Sequence, residues 1–380
     1  MDFDWTPEQK DIRRRVAGLF DLAGLGEVEE LETADPAGIR RLVLKWQERL
    51  AGVGYFDLGL GPAGLKDFLT LTAAQEEVSQ ADASLFLSVE TTARLFGGLL
   101  AGWAGPELKA ELWDSFKDGK LVGGVALSEP GGPEPRADWS AQARAEGGGY
   151  VLTGQKGLVT NGPLADWLAV AAAFGDRPAF FLVRPDQEGV CLGPRVPTLG
   201  YNGLAVCALE LTGVKVPSAR VLGPFDGDRP LAWLRMVQDM VLSVASLGVM
   251  WRSHHAANRH ARSFHRGGKP IFAHQEVRFR LADTFTLYQT SQLLAYRAAW
   301  FVASGDREAP VLVNCAKVFC AESAERVASL ALQILAGRGY VSGNAVERGF
   351  REAKYAGIAG TTTEVSRMNL AEEMLRRHLI

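Results

Sequence analysis

Apolar residues in the first third of the chain recur at helical spacing. Thr6 can cap a helix that starts at Pro7, Gln9 can complete a capping box, and Ile12, Val16, Leu19 and Phe20 then share one face. The same period predicts helices over 39–51, 65–79 and 84–100, divided by helix-breaking clusters such as Gly59-Leu60-Gly61-Pro62. Near Leu121 the texture changes. Residues 140–146 alternate with period two, Gly147-Gly148-Gly149 makes a turn, and 150–153 resumes as a strand, which predicts a hairpin. Further strand-like runs follow at 167–174, 179–183, 190–192 and 205–211. From Leu231 the helical period returns in long segments over 231–266, 274–304, 310–335 and 363–379. Helices, strands and helices in successive blocks imply an α+β protein. Its regions would be an all-α N-terminal region over 1–120, an antiparallel β-domain over 121–225 and a second helical domain over 226–380.

Composition narrows the function classes. With 47% hydrophobic and 22% charged residues and a net charge of −3, the chain has no general positive excess with which to hold a nucleic-acid backbone. Met1-Asp2-Phe3-Asp4-Trp5 lacks a basic stretch leading into an apolar one, so no secretory signal is expected and the protein is expected to be cytoplasmic. The most apolar runs, 167–174 and 240–250, are far shorter than the roughly 18 residues that cross a bilayer. Cys191, Cys207, Cys315 and Cys320 show no CxxC spacing, and neither a metal nor a disulfide role is expected for them.

Four segments carry the chemistry. Residues 123–131 read Gly-Gly-Val-Ala-Leu-Ser-Glu-Pro-Gly, and 154–162 read Gly-Gln-Lys-Gly-Leu-Val-Thr-Asn-Gly. Residues 332–340 read Leu-Gln-Ile-Leu-Ala-Gly-Arg-Gly-Tyr, a glycine turn of the kind that lets backbone approach a pyrophosphate. Residues 351–367 read Arg-Glu-Ala-Lys-Tyr-Ala-Gly-Ile-Ala-Gly-Thr-Thr-Thr-Glu-Val-Ser-Arg. In this order and spacing the four resemble the acyl-CoA dehydrogenase family, and the likeness runs over nearly the whole chain. It implies a C-terminal four-helix bundle, an FAD cofactor and an acyl thioester substrate oxidised at Cα–Cβ. The electron acceptor would be electron-transferring flavoprotein or a similar carrier, and the assembly a homo-oligomer (dimer or tetramer) or a hetero-oligomer with a homologous subunit.

The resemblance also distributes roles. Leu127 and Ser128 would meet the flavin ring, with Leu158, where the family usually has tryptophan, and Thr160 at its reactive edge. Gln333 and Gly337 would receive the dinucleotide, and Thr362 and Glu364 its adenosine half. Where family members continue Gly-Ser-Asp beside the pantetheine arm, this chain reads Pro133-Glu134-Pro135. Along 258–275 the alignment puts Phe264 on the family's pyrophosphate-binding arginine. Arg262 or Arg266 would then replace that charge, since a guanidinium can reach phosphate from more than one stem position. The alternative for this basic run is a solvated helix end favoured by the dipole.

The catalytic base is where the chain departs from its relatives. Many members carry a glutamate at the position of Gly360, and a branch typified by isovaleryl-CoA dehydrogenase mounts it on a helix at the position of Gln238, which is neutral here. Asp239 has the right chemistry but is rotated about 100° around that helix, and could be a helix-surface carboxylate. Glu90, among Leu85, Leu87 and Val89, could have its pKa raised by desolvation or could be a buried structural glutamate. Three functions remain open at this level: a dehydrogenase with a displaced base, a non-catalytic subunit of a heteromeric dehydrogenase, or a family flavin monooxygenase that needs no α-proton base.

Overall fold

The computed structural model describes residues 4–20, 25–26, 29–130 and 139–376. Helix α1 (Pro7–Ala17) begins with the expected reciprocal cap: Gln9 N donates to Thr6 Oγ1 at 3.2 Å and Thr6 N to Gln9 Oε1 at 3.0 Å. Then come α2 (Pro36–Gly52), α3 (Phe68–Ala81) and α4 (Ala83–Glu90). The segment predicted as one helix over 84–100 is interrupted by a π-helical turn, Thr91–Phe96, before α5 (Gly97–Trp103). Helix α6 (Pro106–Lys117) follows, with Pro106 in its first turn and Leu108, Leu112 and Phe116 on its buried face.

The middle region is one sheet, and it is mixed rather than antiparallel. Its strands are β1 (Gly123–Ala126), β2 (Gln142–Glu146), β3 (Gly149–Thr160), β4 (Trp167–Phe174), β5 (Arg177–Val183), β6 (Val190–Leu192), β7 (Val206–Pro217) and β8 (Val221–Leu222). They lie in the order β6-β7-β3-β2-β4-β5-β8, with β1 added parallel to β4. The hairpin β2–β3 turns at the predicted glycines. Strand β1 enters from the helical region and has no hairpin partner to impose antiparallel pairing, which local periodicity cannot reveal. The β3–β7 ladder is irregular between Lys156 and Val159. Such a bulge lifts residues out of the ladder, and it does so at Gly157 and Leu158.

Helices α7 (Arg229–Ser263), α8 (Gln275–Ala303), α9 (Ala309–Leu335) and α12 (Thr363–Arg376) form the C-terminal bundle, with α10 (Ala345–Ala353) and the short α11 (Tyr355–Ile358) between the last two. The first half of α7 shares a core with the N-terminal helices, where Trp233, Leu234, Val237 and Met240 join Trp46, Phe86 and Phe96. Its second half packs on α8 and α9 through Leu247, Met250, Tyr288 and Val327. A helix buried on several sides needs apolar residues around its circumference, and α7 is the spine that joins the two helical regions. Buried polar contacts fasten the same junction. Glu76 of α3 accepts from Tyr288 Oη at 2.5 Å, Tyr296 Oη at 2.6 Å and Gln292 Nε2 at 2.6 Å, all on α8. Arg252 of α7 bonds the Ser79 carbonyl and, at 2.9 Å, Glu352 of α10. Burial raises the Glu352 carboxyl to about 7 against the pull of Arg252 and Arg348.

Candidate functional site

The first two motifs meet at the bulge. Gly157 N donates to Ser128 O at 2.9 Å, so residues 127–129 run beside the irregular part of β3. Lys156 is fully buried there; its ammonium bonds Glu129 Oε1 at 2.8 Å and Leu127 O at 3.2 Å and lies 4.7 Å over the Trp139 ring. Those bonds hold Leu127 and Ser128 in place. Ser128 is exposed, Thr160 half-buried, and Leu158 is 64% exposed, a large apolar side chain held outward on the bulge. Thr160 reaches the C-terminal region, where its side chain hydrogen-bonds Tyr355; burial raises the Tyr355 hydroxyl and this bond opposes it. The stretch Pro133-Glu134-Pro135 lies outside the described residues.

Gly360 sits in the loop between α11 and α12 with φ +63°, a conformation that favours glycine. A Cβ at residue 360 would stand 2.7 Å from Asp239 Oδ1, 2.8 Å from Leu242 Cδ1 and 3.5 Å from Gln238 Cγ. Residues 360 and 238, the two positions at which the resemblance would place a base, therefore face each other here. Asp239 is buried, and its Oδ1 accepts from Thr361 N at 2.9 Å. Lys317 of α9, fully buried, donates at 2.8 Å to both Ala359 O and Thr361 O and places its ammonium 3.9 Å from Asp239 Oδ1. Burial pushes the Asp239 carboxyl above its ordinary range, with Lys317, Thr361 and Arg235 drawing it back. Burial likewise lowers the Lys317 ammonium to about 8, opposed by Asp239 and Glu364. Gln238 is half-buried beside the pair.

A third cluster forms where α7 and α9 end. Phe264 stacks on His260, with ring centroids 5.0 Å apart, and carries the guanidinium of Arg338 at 4.6 Å. Burial, then Arg338, lowers the His260 pKa. Arg338 belongs to the 332–340 glycine turn, whose Ala336 takes φ +50°. Gln333 and Gly337 of that turn are exposed, as is Arg338. Arg262 is engaged locally, by Asn258 at 3.1 Å and by the Phe272 ring at 4.6 Å. Arg266 is exposed in the two-stranded ribbon opposite Lys269. Of these arginines, Arg338 is the one that lies against the Phe264 ring, while Arg262 and Arg266 lie elsewhere on the same end of the bundle. Thr362 accepts from Val365 N at 3.3 Å as the cap of α12, and Glu364 is exposed in its first turn.

Comparison with known proteins gives the family. The family model for the acyl-CoA dehydrogenase C-terminal domain matches residues 236–375, and that for the middle domain matches 124–214. The isovaleryl-CoA dehydrogenase of Oryza sativa mitochondria is 30% identical, over 85% of this chain and 78% of that protein. The chain belongs to the acyl-CoA dehydrogenase family. Benzylmalonyl-CoA dehydrogenase from Aromatoleum aromaticum is 28% identical over 98% of this chain and 100% of that protein. In fold, butyryl-CoA dehydrogenase from Megasphaera elsdenii superposes with a TM-score of 0.87 at 24% identity, over 99% of this chain and 100% of that one. Acyl-CoA dehydrogenases are flavoproteins, and this member is an oxidoreductase of that family by descent.

Within this family member the two carboxylates differ in their surroundings. Glu90 is fully buried, and both its oxygens are engaged within the N-terminal region. Tyr55 Oη donates to Oε1 at 2.6 Å, Gln75 Nε2 donates to Oε2, and Arg94 Nε stands 3.5 Å from Oε2. Burial raises its pKa, and Arg94, Tyr55 and Gln75, which occupy both its oxygens, oppose that shift. Glu90→Gln is expected to cost on the order of 2 kcal/mol of stability by disturbing this network while leaving turnover per folded molecule within about twofold. Thermal unfolding and steady-state rates on the same preparation check this. Among the described residues no helix is long and apolar enough to cross a membrane, and no group of three or more His, Cys, Asp or Glu side chains could hold a metal ion.

Proposed function

We propose that this protein is an FAD-dependent dehydrogenase of acyl thioesters in which Asp239 removes the α-proton. One placement supports this above all: the Asp239 carboxylate occupies the space that a side chain from residue 360 would enter. An aspartate is one methylene shorter than glutamate, and a bare Gly360 leaves room for it. Burial raises the affinity of Asp239 for protons, as a base working near neutral pH requires. In the reaction the Cα proton goes to Asp239, its bonding electrons form the Cα=Cβ double bond, and the hydride at Cβ departs, leaving a 2,3-enoyl thioester. FAD, when bound, would supply the two-electron acceptor for that hydride, and electron-transferring flavoprotein or a similar carrier would be the onward acceptor.

The residues present fit that cofactor. Leu127, Ser128, Leu158 and Thr160 offer an apolar surface flanked by hydroxyls, suited to a flat ring with polar edges. Thr362 and Glu364 would meet its adenosine. Arg338, exposed on Phe264 beside Gln333 and Gly337, offers a guanidinium for the diphosphate in place of the family's arginine. A charge-assisted bond of this kind contributes roughly 1.5–3 kcal/mol. Arg338→Ala should therefore weaken FAD binding by about 10- to 100-fold, and Arg262→Ala by much less. Fluorescence titration of the apoprotein with FAD separates the two.

A homo-oligomer would cover apolar residues that stand exposed on the C-terminal helices, among them Phe279, Phe285, Leu293, Trp300 and Met368. The deciding experiment is anaerobic. Bleaching of the bound flavin by butyryl-CoA or isovaleryl-CoA supports the dehydrogenase. Activity that appears only on adding a homologous subunit would overturn it in favour of a non-catalytic role, and oxygen uptake on reduced flavin without thioester bleaching in favour of a monooxygenase.

A further inference from the structure

The proposed base has a buried partner to which no role has yet been given. Lys317 rises from α9 beneath the Gly360 loop, with no exposed surface. Two of its three N–H bonds are spent on Ala359 O and Thr361 O, the carbonyls on either side of Gly360, each at 2.8 Å. The ammonium then lies 3.9 Å from Asp239 Oδ1, too far for a hydrogen bond but close for a charge. Asp239 in turn accepts from Thr361 N at 2.9 Å. Lys317, Asp239 and the 359–361 backbone thus form a closed circuit in which one cation both pins the loop and faces the carboxylate.

We infer that Lys317 is the positioning residue of this active site: its ammonium clamps the Gly360 loop over α7 and keeps Asp239 ionised inside a buried site. The inference rests on the assignment of Asp239 as base. Around Lys317 the charged groups are Asp239 from α7 and Glu364 from α12. Around Asp239 they are Lys317 from α9 and Arg235 from its own helix, with the Thr361 N–H. The cations outweigh the anions at the carboxylate, so removing Lys317 strips its largest opposing influence to burial. The Lys317 ammonium, lowered to about 8, carries its charge through neutral pH and sheds it above that value.

Lys317→Met keeps most of the side-chain volume and removes the charge. With butyryl-CoA and ferrocenium as probes, the acid limb of kcat/KM against pH is expected to move upward by about one unit or more. On the acid side of that limb the rate falls by about tenfold or more, and it recovers toward alkaline pH, where Asp239 ionises unaided. A merely structural lysine would depress the rate equally at every pH, and that result overturns the inference. Because coupling is reciprocal, a second measurement does not require the methionine variant to fold or the probe to be turned over. In protein labelled with 13C-lysine, Asp239→Asn should lower the Lys317 titration midpoint; an unmoved midpoint also overturns the inference. Failure of the underlying assignment looks different: Asp239→Asn would then retain turnover, whatever Lys317 does.

Discussion

Asp239→Asn will fold, bind flavin and lose turnover by on the order of 10³-fold or more, within the range that a general base contributes. The amide has the same shape and its oxygen can still accept from Thr361 N, the bond now made at 2.9 Å. What disappears is the ability to hold a proton. The wild-type rate should fall on the acid side as Asp239 is protonated, at a pH above the ordinary aspartate range because burial favours the neutral form. That limb should be missing from the residual activity of the variant. Rapid-mixing measurements of flavin bleaching by butyryl-CoA across pH read both effects. Equal bleaching rates in the two proteins would end the assignment of Asp239.

Restoring the glutamate that many relatives carry will fail in this chain. Gly360→Glu puts an L side chain at φ +63°, strained by roughly 1–2 kcal/mol, with its Cβ 2.7 Å from Asp239 Oδ1 and 2.8 Å from Leu242 Cδ1. It also sets a second carboxylate against the first in a buried place. A loss of roughly 3 kcal/mol or more is expected, with activity reduced rather than raised. In Asp239→Ala/Gly360→Glu the carboxylates no longer compete, so the two changes should be non-additive and part of the stability should return. Thermal melts of the four proteins in the cycle measure this. A single Gly360→Glu variant as stable as wild type and more active would mean that the loop is free to adopt the relatives' arrangement. With the expected loss, the glycine is a complement to Asp239, since the two cannot both carry a full side chain into the same space.

Much of the molecule was legible before any coordinates. The capping box at Thr6 and Gln9, the three-glycine hairpin turn and the long helical periods are features of neighbouring residues, and each was found where it was expected. The four motifs in order placed the chain in its family. Other features were out of reach. The parallel pairing of β1 with β4 joins strands whose separation in sequence carries no pattern. The interruption of the helix after Glu90 arises in a stretch that reads as uniformly apolar and helical. For the charge displaced by Phe264 the sequence offers Arg262 or Arg266, whereas the guanidinium that lies on the Phe264 ring is that of Arg338, from another helix end.

Asp239 shows the boundary most clearly. On the sequence alone its rotation away from the position of Gln238 counted against it, because helical geometry states only the angle between neighbours and not which side another segment will approach. The sequence by itself determined most of the elements, their order, the family and the lack of a glutamate at 360, since periodicity, caps and motifs are local properties of the chain. Only the tertiary structure decided that Asp239 and Lys317 meet at Gly360, that Glu90 is enclosed by Tyr55, Gln75 and Arg94, and that Arg338 faces Phe264. Those pairings depend on ångström-scale approach between distant segments, which is fixed by how whole helices and the sheet pack.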